Sequence, residues 1–234
     1  MSKETVVVEI RPAEGGDDAK LFTFDIFKML SAYCKRKRWD IQVVAMRPAG
    51  RHGYQEITLV VSGKGALAGL LPEVGGHRVQ RVPPTEKRGR RQTSTITVAV
   101  LPQPRDVDVK IRDSDLKWET MRGTGPGGQH RNTTDSAVRV THKPTGVSAY
   151  SDTKSQHDNR KYALAVLKSR LSEQMKQKAK REHNVTRARQ IGAGMRGDKR
   201  RTYNFRENRV TDHVSGKTVR NVKAVLGGKL DQLR

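Results

Sequence analysis

Cysteine is nearly absent: Cys34 stands alone in 234 residues. That excludes an internal disulfide and any cysteine-rich zinc site. Its place in a helical pattern predicts the buried side of that helix. Aromatic residues make up only 5% of the chain, few for a protein that stacks single-stranded DNA. Hydrophobic residues are 34%, below the globular average, so each core is expected to be modest. No run is long and apolar enough to span a membrane. The opening MSKETVVVEI carries an early acid and no apolar leader, which argues against a secretory segment. Together these absences predict a reducing, cytoplasmic setting. Negative charge is the largest deficit: 24 Asp and Glu against 47 Lys and Arg give +23. Such an excess attracts a polyanion, because each neutralised phosphate releases counterions. Low hydrophobicity with high charge can also mean disorder, but here the apolar residues fall into periodic segments.

Those segments outline an α+β chain of at least two units. Residues 5–10 read as a buried strand, and RPAEGGDD follows as a Gly-rich turn. Asp17 and Asp18 suit a helix N-terminus, where carboxylates meet free amides and the positive dipole end. Phe22, Ile26, Met29, Leu30 and Tyr33 then repeat at helical spacing, closed by KRKR. ITLVV (57–61), TITVAV (95–100) and the alternating VDVKI (107–111) read as strands. GGHRVQRVPPTEKRGRRQTS between them reads as a basic segment broken by Pro83-Pro84. VRVTH and VSAY flank KPTG as a hairpin. Ser155 and Asp158 form a capping-box pattern, opening a helix with Leu164, Leu167, Leu171 and Met175 as its apolar stripe. Its basic side carries Lys168, Arg170, Lys176, Lys178, Lys180 and Arg181. RQIGAGMRGDKR reads as a flexible connection, so a hinge is expected over residues 187–199. The last third returns to short strands and a final helix.

GTGPGGQHRN, residues 123–132, is the most unusual stretch. Gly123, Gly125 and Gly128 spell G-x-G-x-x-G, but the dinucleotide motif needs a strand before and a helix directly after. The charged DLKWETMR precedes it and a strand hairpin follows. A Walker loop fails for lack of a closing Gly-Lys-Ser/Thr. His130, Asp135 and Ser136 lack the sharp elbow of a nucleophilic serine, and the seven histidines show no metal-ligand spacing. What remains is a structural turn or a loop built for close backbone approach, whose amides can donate to a developing oxyanion.

GTGPGGQHRNTTDSAVRVTHKPTGV resembles the Gly-Gly-Gln domain of class-one bacterial peptide-chain release factors. EIRPAEGGDDAKLF, GGHRVQRVPPTEKRGRRQTSTITVAVLP and RTYNFRENRVTDH agree in the same order and cover nearly the whole chain. The resemblance implies a codon-reading body of mixed strands and helices, begun by residues 1–104 and completed by 191–234. A separate small α+β catalytic domain would span 105–190. It implies hydrolysis of the peptidyl-tRNA ester by water in the ribosomal A site, with much of the chemistry belonging to ribosomal RNA and the tRNA. Gly127, Gly128 and Gln129 match the catalytic tripeptide: the Gln129 backbone N–H stabilises charge, and its side chain, N-methylated by a glutamine methyltransferase, restricts the nucleophile to water. Arg131, Lys168 and Arg170 would meet ribosomal RNA. Pro83-Pro84-Thr85 fits the Pro-x-Thr tripeptide of factors reading UAA and UAG. Gly15 to Asp18 would face the first uridine, Thr85 the first two bases, and Gln80 with Thr93 the third purine. The implied partners are the ribosome, a messenger stop codon and peptidyl-tRNA, met by a monomer with no cofactor, metal or membrane.

Three departures bear on this. The family begins with a helical domain of roughly a hundred residues, which this chain lacks. Gln92 stands where the family has a histidine that stacks on the codon, and an amide stacks less well. Asp18 replaces a usual glutamate, and Arg131 a small apolar residue. Gln92 and the short form favour a codon-independent ribosome-rescue hydrolase; the complete reading block and the ending GGKLDQLR favour termination. A non-catalytic ribosome binder would have no reason to keep Gly-Gly-Gln, and an RNA nuclease would need paired acids or a metal cluster.

Overall fold

The computed structural model describes residues 4–50, 53–103, 111–123, 133–192, 194–195 and 197–234. In chain order its main elements are β1 (Thr5–Pro12), α1 (Gly16–Arg36), β2 (Asp40–Pro48), β3 (Tyr54–Ser62), α2 (Ala66–Leu70), β4 (Gly75–Arg81) and β5 (Gln92–Pro102). β6 (Leu116–Met121), β7 (Ala137–His142), β8 (Ser148–Ser151) and the long α3 (Gln156–Ile191) follow. The chain closes with β9 (Lys199–Asn204), β10 (Arg209–Asp212), β11 (Thr218–Arg220) and α4 (Val222–Leu226). Two compact units result: Met1–Gln103 with His183–Arg234, and Pro104–Glu182.

The first unit is built on an eight-stranded sheet in the order β11-β10-β9-β4-β5-β1-β3-β2. Its pairings are antiparallel except β4 with β9, which run parallel. Val6, Val8 and Ile10 alternate inward on β1, as do Ile57, Leu59 and Val61 on β3, and Ile96, Val98 and Val100 on β5. This period of two gives the sheet one apolar face. Phe22, Ile26, Met29, Leu30 and Tyr33, all buried, cover it from α1. Each such side chain stabilises the fold by about 1.5–3 kcal/mol. Cys34 lies in the same core, where burial pushes its thiol up to about 12.

β2 and β4 are strands the sequence pattern does not announce. β2 is an edge strand, mostly exposed and bulged between Val43 and Ala45, so it has no clean alternation. β4 opens on a glycine pair for a tertiary reason: a Cβ on Gly76 would lie 2.1 Å from the Asp198 carbonyl oxygen beside β9. His77, two positions from the strand start, is fully buried. It bonds the Glu73 carbonyl at 2.8 Å and the Tyr203 hydroxyl at 3.1 Å. Burial, aided by the charge of Arg201, lowers it to about 3. Arg201 itself is buried between Glu73 and Asp212.

The expected hinge over 187–199 is corrected in its first part. Residues 187–191 are the last turn of α3. Gln190 both accepts from the Val100 amide at 2.9 Å and donates to its carbonyl at 2.7 Å, and Arg187 pairs with Glu9 at 2.9 Å. The helix stops at Gly192, with φ of 57°, a left-handed cap that glycine adopts without penalty.

The second unit is the three-stranded sheet β6-β7-β8 with the first part of α3 against it. Leu116, Val140, Ala149, Ala163, Leu167 and Leu171 form its core. Leu164 is partly buried, but Met175 is 43% exposed and is no part of the expected stripe: this three-stranded sheet is too small to cover more than the first turns of the helix. KPTG turns the β7–β8 hairpin, with Gly146 at φ 69°, and the Ser155 hydroxyl accepts from the Asp158 amide at 3.3 Å. Of the expected strand 107–111, residues 107–110 lie outside the described residues.

Candidate functional site

Sequence-distant residues converge at one corner of the first unit. The segment before α1 runs along β5: the Ala13 amide donates to Thr95 O at 2.9 Å and the Thr95 amide to Glu14 O at 2.6 Å. Gly15 then caps α1 at φ 131°, so close to Ser94 that a Cβ would stand 2.5 Å from that side chain. Only glycine fits both the angle and the approach. The start of α1 is thereby held beside Thr93. Thr93 is the cross-strand partner of Gln80, so the two residues expected at a third base share one rung.

Between β4 and β5, Pro83, Pro84, Thr85 and Glu86 make a turn closed by the Glu86 amide on Pro83 O at 3.0 Å. Proline at the second position suits such a turn. Pro83 is buried, whereas Pro84 and Thr85 are exposed at its tip. Glu86 braces the rest of the loop: it accepts from the Arg88 amide at 2.7 Å, Arg90 Nε at 3.1 Å and Gln92 Nε2 at 3.4 Å. The Arg88 amide foremost, with the charge of Arg90, holds the Glu86 carboxyl below the usual carboxylate range. The Gln92 amide is thus tied into the loop.

Asp18 faces inward. Arg81 Nε donates to its carboxylate at 2.7 Å and Arg81 Nη1 to Asp25 at 2.8 Å, with the guanidinium lying 5.7 Å from the ring centres of both Phe22 and Phe205. What α1 offers a ligand here is its backbone, not this carboxylate. Arg81 was not legible as a site residue. Its one signal is the seven-residue spacing of Asp18 and Asp25, which puts two acids on the apolar side of α1. Beside Arg81 a cavity of about 570 Å³ is lined by Gln80, Val82, Arg91, Phe205 and Arg206 among others; its last two residues come from the far end of the chain.

In the second unit, residues 122–136 connect β6 to β7, whose final register pair is Met121 with Ala137. A connection of this length is longer than most loops, and such connections are usually functional. Gly127, Gly128, Gln129 and Arg131 belong to it and lie outside the described residues. Its described ends are braced. Arg122 approaches Asp135 at 3.8 Å, and Gln156 donates to Asp135 O at 3.0 Å. Asn159, fully buried, donates to Ser136 O and Thr153 O, both at 2.8 Å, and accepts from the Thr153 amide at 2.7 Å. The Ser151 and Thr153 hydroxyls complete its shell. Nothing in the sequence singles Asn159 out. Lys168 and Arg170 are exposed on α3, Arg170 donating to Ser148 O. Among the described residues no cluster of His, Cys, Asp or Glu could hold a metal, and no helix is long and apolar enough to cross a membrane.

Two units with separate cores, one carrying a convergent polar corner and the other a braced Gly-rich connection, define a two-part α+β protein. Comparison with known families places it further. Residues 1–98 match the PCRF domain and residues 105–214 the RF-1 domain. Peptide chain release factor 1 of Bartonella bacilliformis is 46% identical over 231 residues, covering 99% of this chain and 64% of that protein. That of Staphylococcus saprophyticus is 48% identical over 228 residues, covering 97% and 64%. The solved structure of RF2 of Thermus thermophilus is similar at 34% identity and a TM-score of 0.59, covering 99% of this chain and 66% of that one. The chain belongs to the class-one peptide-chain release factors. It spans about 64% of the length of the curated relatives it matches.

Proposed function

We propose that this chain is a translation termination factor that enters the ribosomal A site, reads UAA or UAG and triggers hydrolysis of the peptidyl-tRNA ester. The observation that carries the reading is the corner itself: the α1 start is packed against the β4–β5 hairpin, which carries both the Gln80–Thr93 rung and the exposed Thr85 turn. An unpaired triplet is read through such amide, hydroxyl and carboxamide groups. Thr85 takes the first two bases, backbone amides from Gly15 to Asp18 the first, and Gln80 with Thr93 the third. In the second unit, Gly127 and Gly128 let the Gln129 backbone come close to the ester. Its N–H donates to the oxyanion that forms as water attacks the carbonyl carbon and the tRNA ribose oxygen departs. N-methylation of the Gln129 side chain by a methyltransferase narrows the site further. Lys168, Arg170 and Arg131 bind ribosomal RNA phosphates, and the working compartment is the cytoplasm.

A second reading, codon-independent rescue of stalled ribosomes, draws on the Gln92–Glu86 bond, which holds Gln92 away from stacking on a base. Release of formyl-methionine from initiator tRNA separates the two, with UAA, UAG, UGA, a sense codon or nothing in the A site. Release confined to UAA and UAG supports termination; release at every codon, or best with an empty site, supports rescue. The Gln129→Pro variant removes the N–H donor itself and should slow release by ~10²–10³. Full activity in that variant would sink the catalytic role of the loop.

A further inference from the structure

Three basic side chains that the reading corner does not use gather on the far side of the large sheet from α1. His77 and Val79 of β4 are buried in the core, so Arg78 between them points to the other face. Arg78 is in register with Thr202 on β9. His213, just after β10, folds over the same point. Its amide donates to Arg200 O at 2.8 Å, which sets it beside Lys199, and its Nε2 lies 2.8 Å from the Thr202 hydroxyl. Burial foremost, then the positive charges of Lys199 and Arg78, lowers His213 below its ordinary value, against the opposing charge of Asp212.

Among the described residues no acid pairs with these three. Asp212 is taken up by Arg201 Nε at 2.8 Å and by the amides of Val214 and Ser215, each at 3.0 Å. The Asp198 carboxylate turns to the end of α3, with Oδ2 3.3 Å from where a Cβ of Gly192 would stand. The side chains of Arg78 and Lys199 hold no hydrogen bond or ion pair to another described residue, and Arg78 Nε is buried without a partner. Basic groups gathered without an acid repel one another and weaken the fold. An oxyanion set among guanidinium, ammonium and imidazole donors reverses that repulsion. The cross-strand row through this point is Thr95, Arg78, Thr202, Thr211 and Thr218. It contains no aromatic ring, and so lacks the platforms that hold a flexible single strand. Folded RNA is instead met through its phosphates and 2′-hydroxyls.

We propose that Arg78, Lys199 and His213 form a phosphate site that holds one phosphodiester of folded ribosomal RNA, apart from the message. Thr202 orients the His213 ring, and the imidazole takes up a proton as the phosphate arrives. The inference rests on the ribosomal function proposed above.

The experiment reads the half-saturating concentration for release at UAA on two messages, one ending at the third base and one continuing for several nucleotides. In the double variant Arg78→Gln, Lys199→Gln it should rise about tenfold on both, with turnover kept, and the salt slope should fall by about 0.9, the value for one duplex phosphate. Lys199→Gln alone leaves the half-buried Arg78 in place. It should raise the half-saturating concentration about threefold without lowering the urea midpoint, because it removes a repulsion and no bond. In the unmodified chain the half-saturating concentration should rise from pH 6 to pH 8, by at most tenfold per unit for one proton, and His213→Gln should flatten that rise. The same rise in His213→Gln would overturn the assignment of His213. Weakening on the longer message alone would overturn the proposal and give the cluster to the message. A lowered urea midpoint with unchanged half-saturation would mark the cluster as structural and overturn it too. If the unmodified chain releases no peptide, the release reading fails, and the site is decided by co-sedimentation with vacant ribosomes. About tenfold weaker binding by the double variant sustains it, and equal binding refutes it.

Discussion

Asn159→Ala should loosen the unit that carries the Gly-Gly-Gln connection while leaving the reading corner intact. The side chain is fully buried and holds five hydrogen bonds of 2.7–2.9 Å. The Ser151 and Thr153 hydroxyls can turn to water once it is gone. The Ser136 carbonyl, the Thr153 amide and the Thr153 carbonyl lose partners where water enters poorly. At about 1 kcal/mol or more for each stranded group, the loss is about 3 kcal/mol. For a unit of this size that lowers its melting temperature by roughly 12–24 °C. Hydrogen exchange read by mass spectrometry assigns the loss to a unit: amides of β7 and early α3 should exchange faster, and those of β1, β3 and β5 should not change. Peptide release should lose turnover with its half-saturating concentration unchanged, because the damage is to the mount of residues 122–136. Asn159→Asp keeps the acceptor but sets a carboxylate oxygen against two carbonyls, so it should be no milder than alanine. A loss under 1 kcal/mol, faster exchange shared by both units, or full turnover in either variant would refute this assignment.

Two further outcomes follow from buried charge. Arg81→Lys keeps the positive charge but cannot bridge Asp18 and Asp25 as a planar fork does; the half-saturating concentration at UAA should rise about tenfold, about 1.4 kcal/mol, with turnover kept. An equal effect on a codon-independent assay, such as release driven by organic solvent, would remove Arg81 from the reading corner. His77 is held neutral in the fold, at about 3 against 6.5 when free. Its contribution to stability is therefore complete above pH 6.5. It drains away as pH falls from 6.5 to 3, by up to about 1.4 kcal/mol per unit, since only the unfolded chain takes up that proton. Urea midpoints between pH 7.5 and 4 should show this slope, and His77→Gln should flatten it; the same slope in the variant would assign the titration to another group.

Much of this protein was legible without coordinates, and the reasons are local. Phe22, Ile26, Met29, Leu30 and Tyr33 announce α1 because an amphipathic helix repeats within one turn of itself. KPTG announces its hairpin because turn residues act through their own dihedral angles. The order of motif blocks was enough to mark the family. β4 was lost because its charges and glycines answer to β9, more than a hundred residues away. The first part of the expected hinge is helix because Gln190 and Arg187, polar and unremarkable in a row of letters, find Val100 and Glu9 only in space. Periodicity and turn chemistry are properties of neighbouring residues, so the sequence by itself determined the elements and the blocks that name the family. The polar corner around Gln80 and Thr93, the Asp18–Arg81–Asp25 bridge and the Asn159 brace depend on how distant segments pack. Only the tertiary structure decided these, because a hydrogen bond or a cross-strand pair is set by distance in the fold and not by separation along the chain.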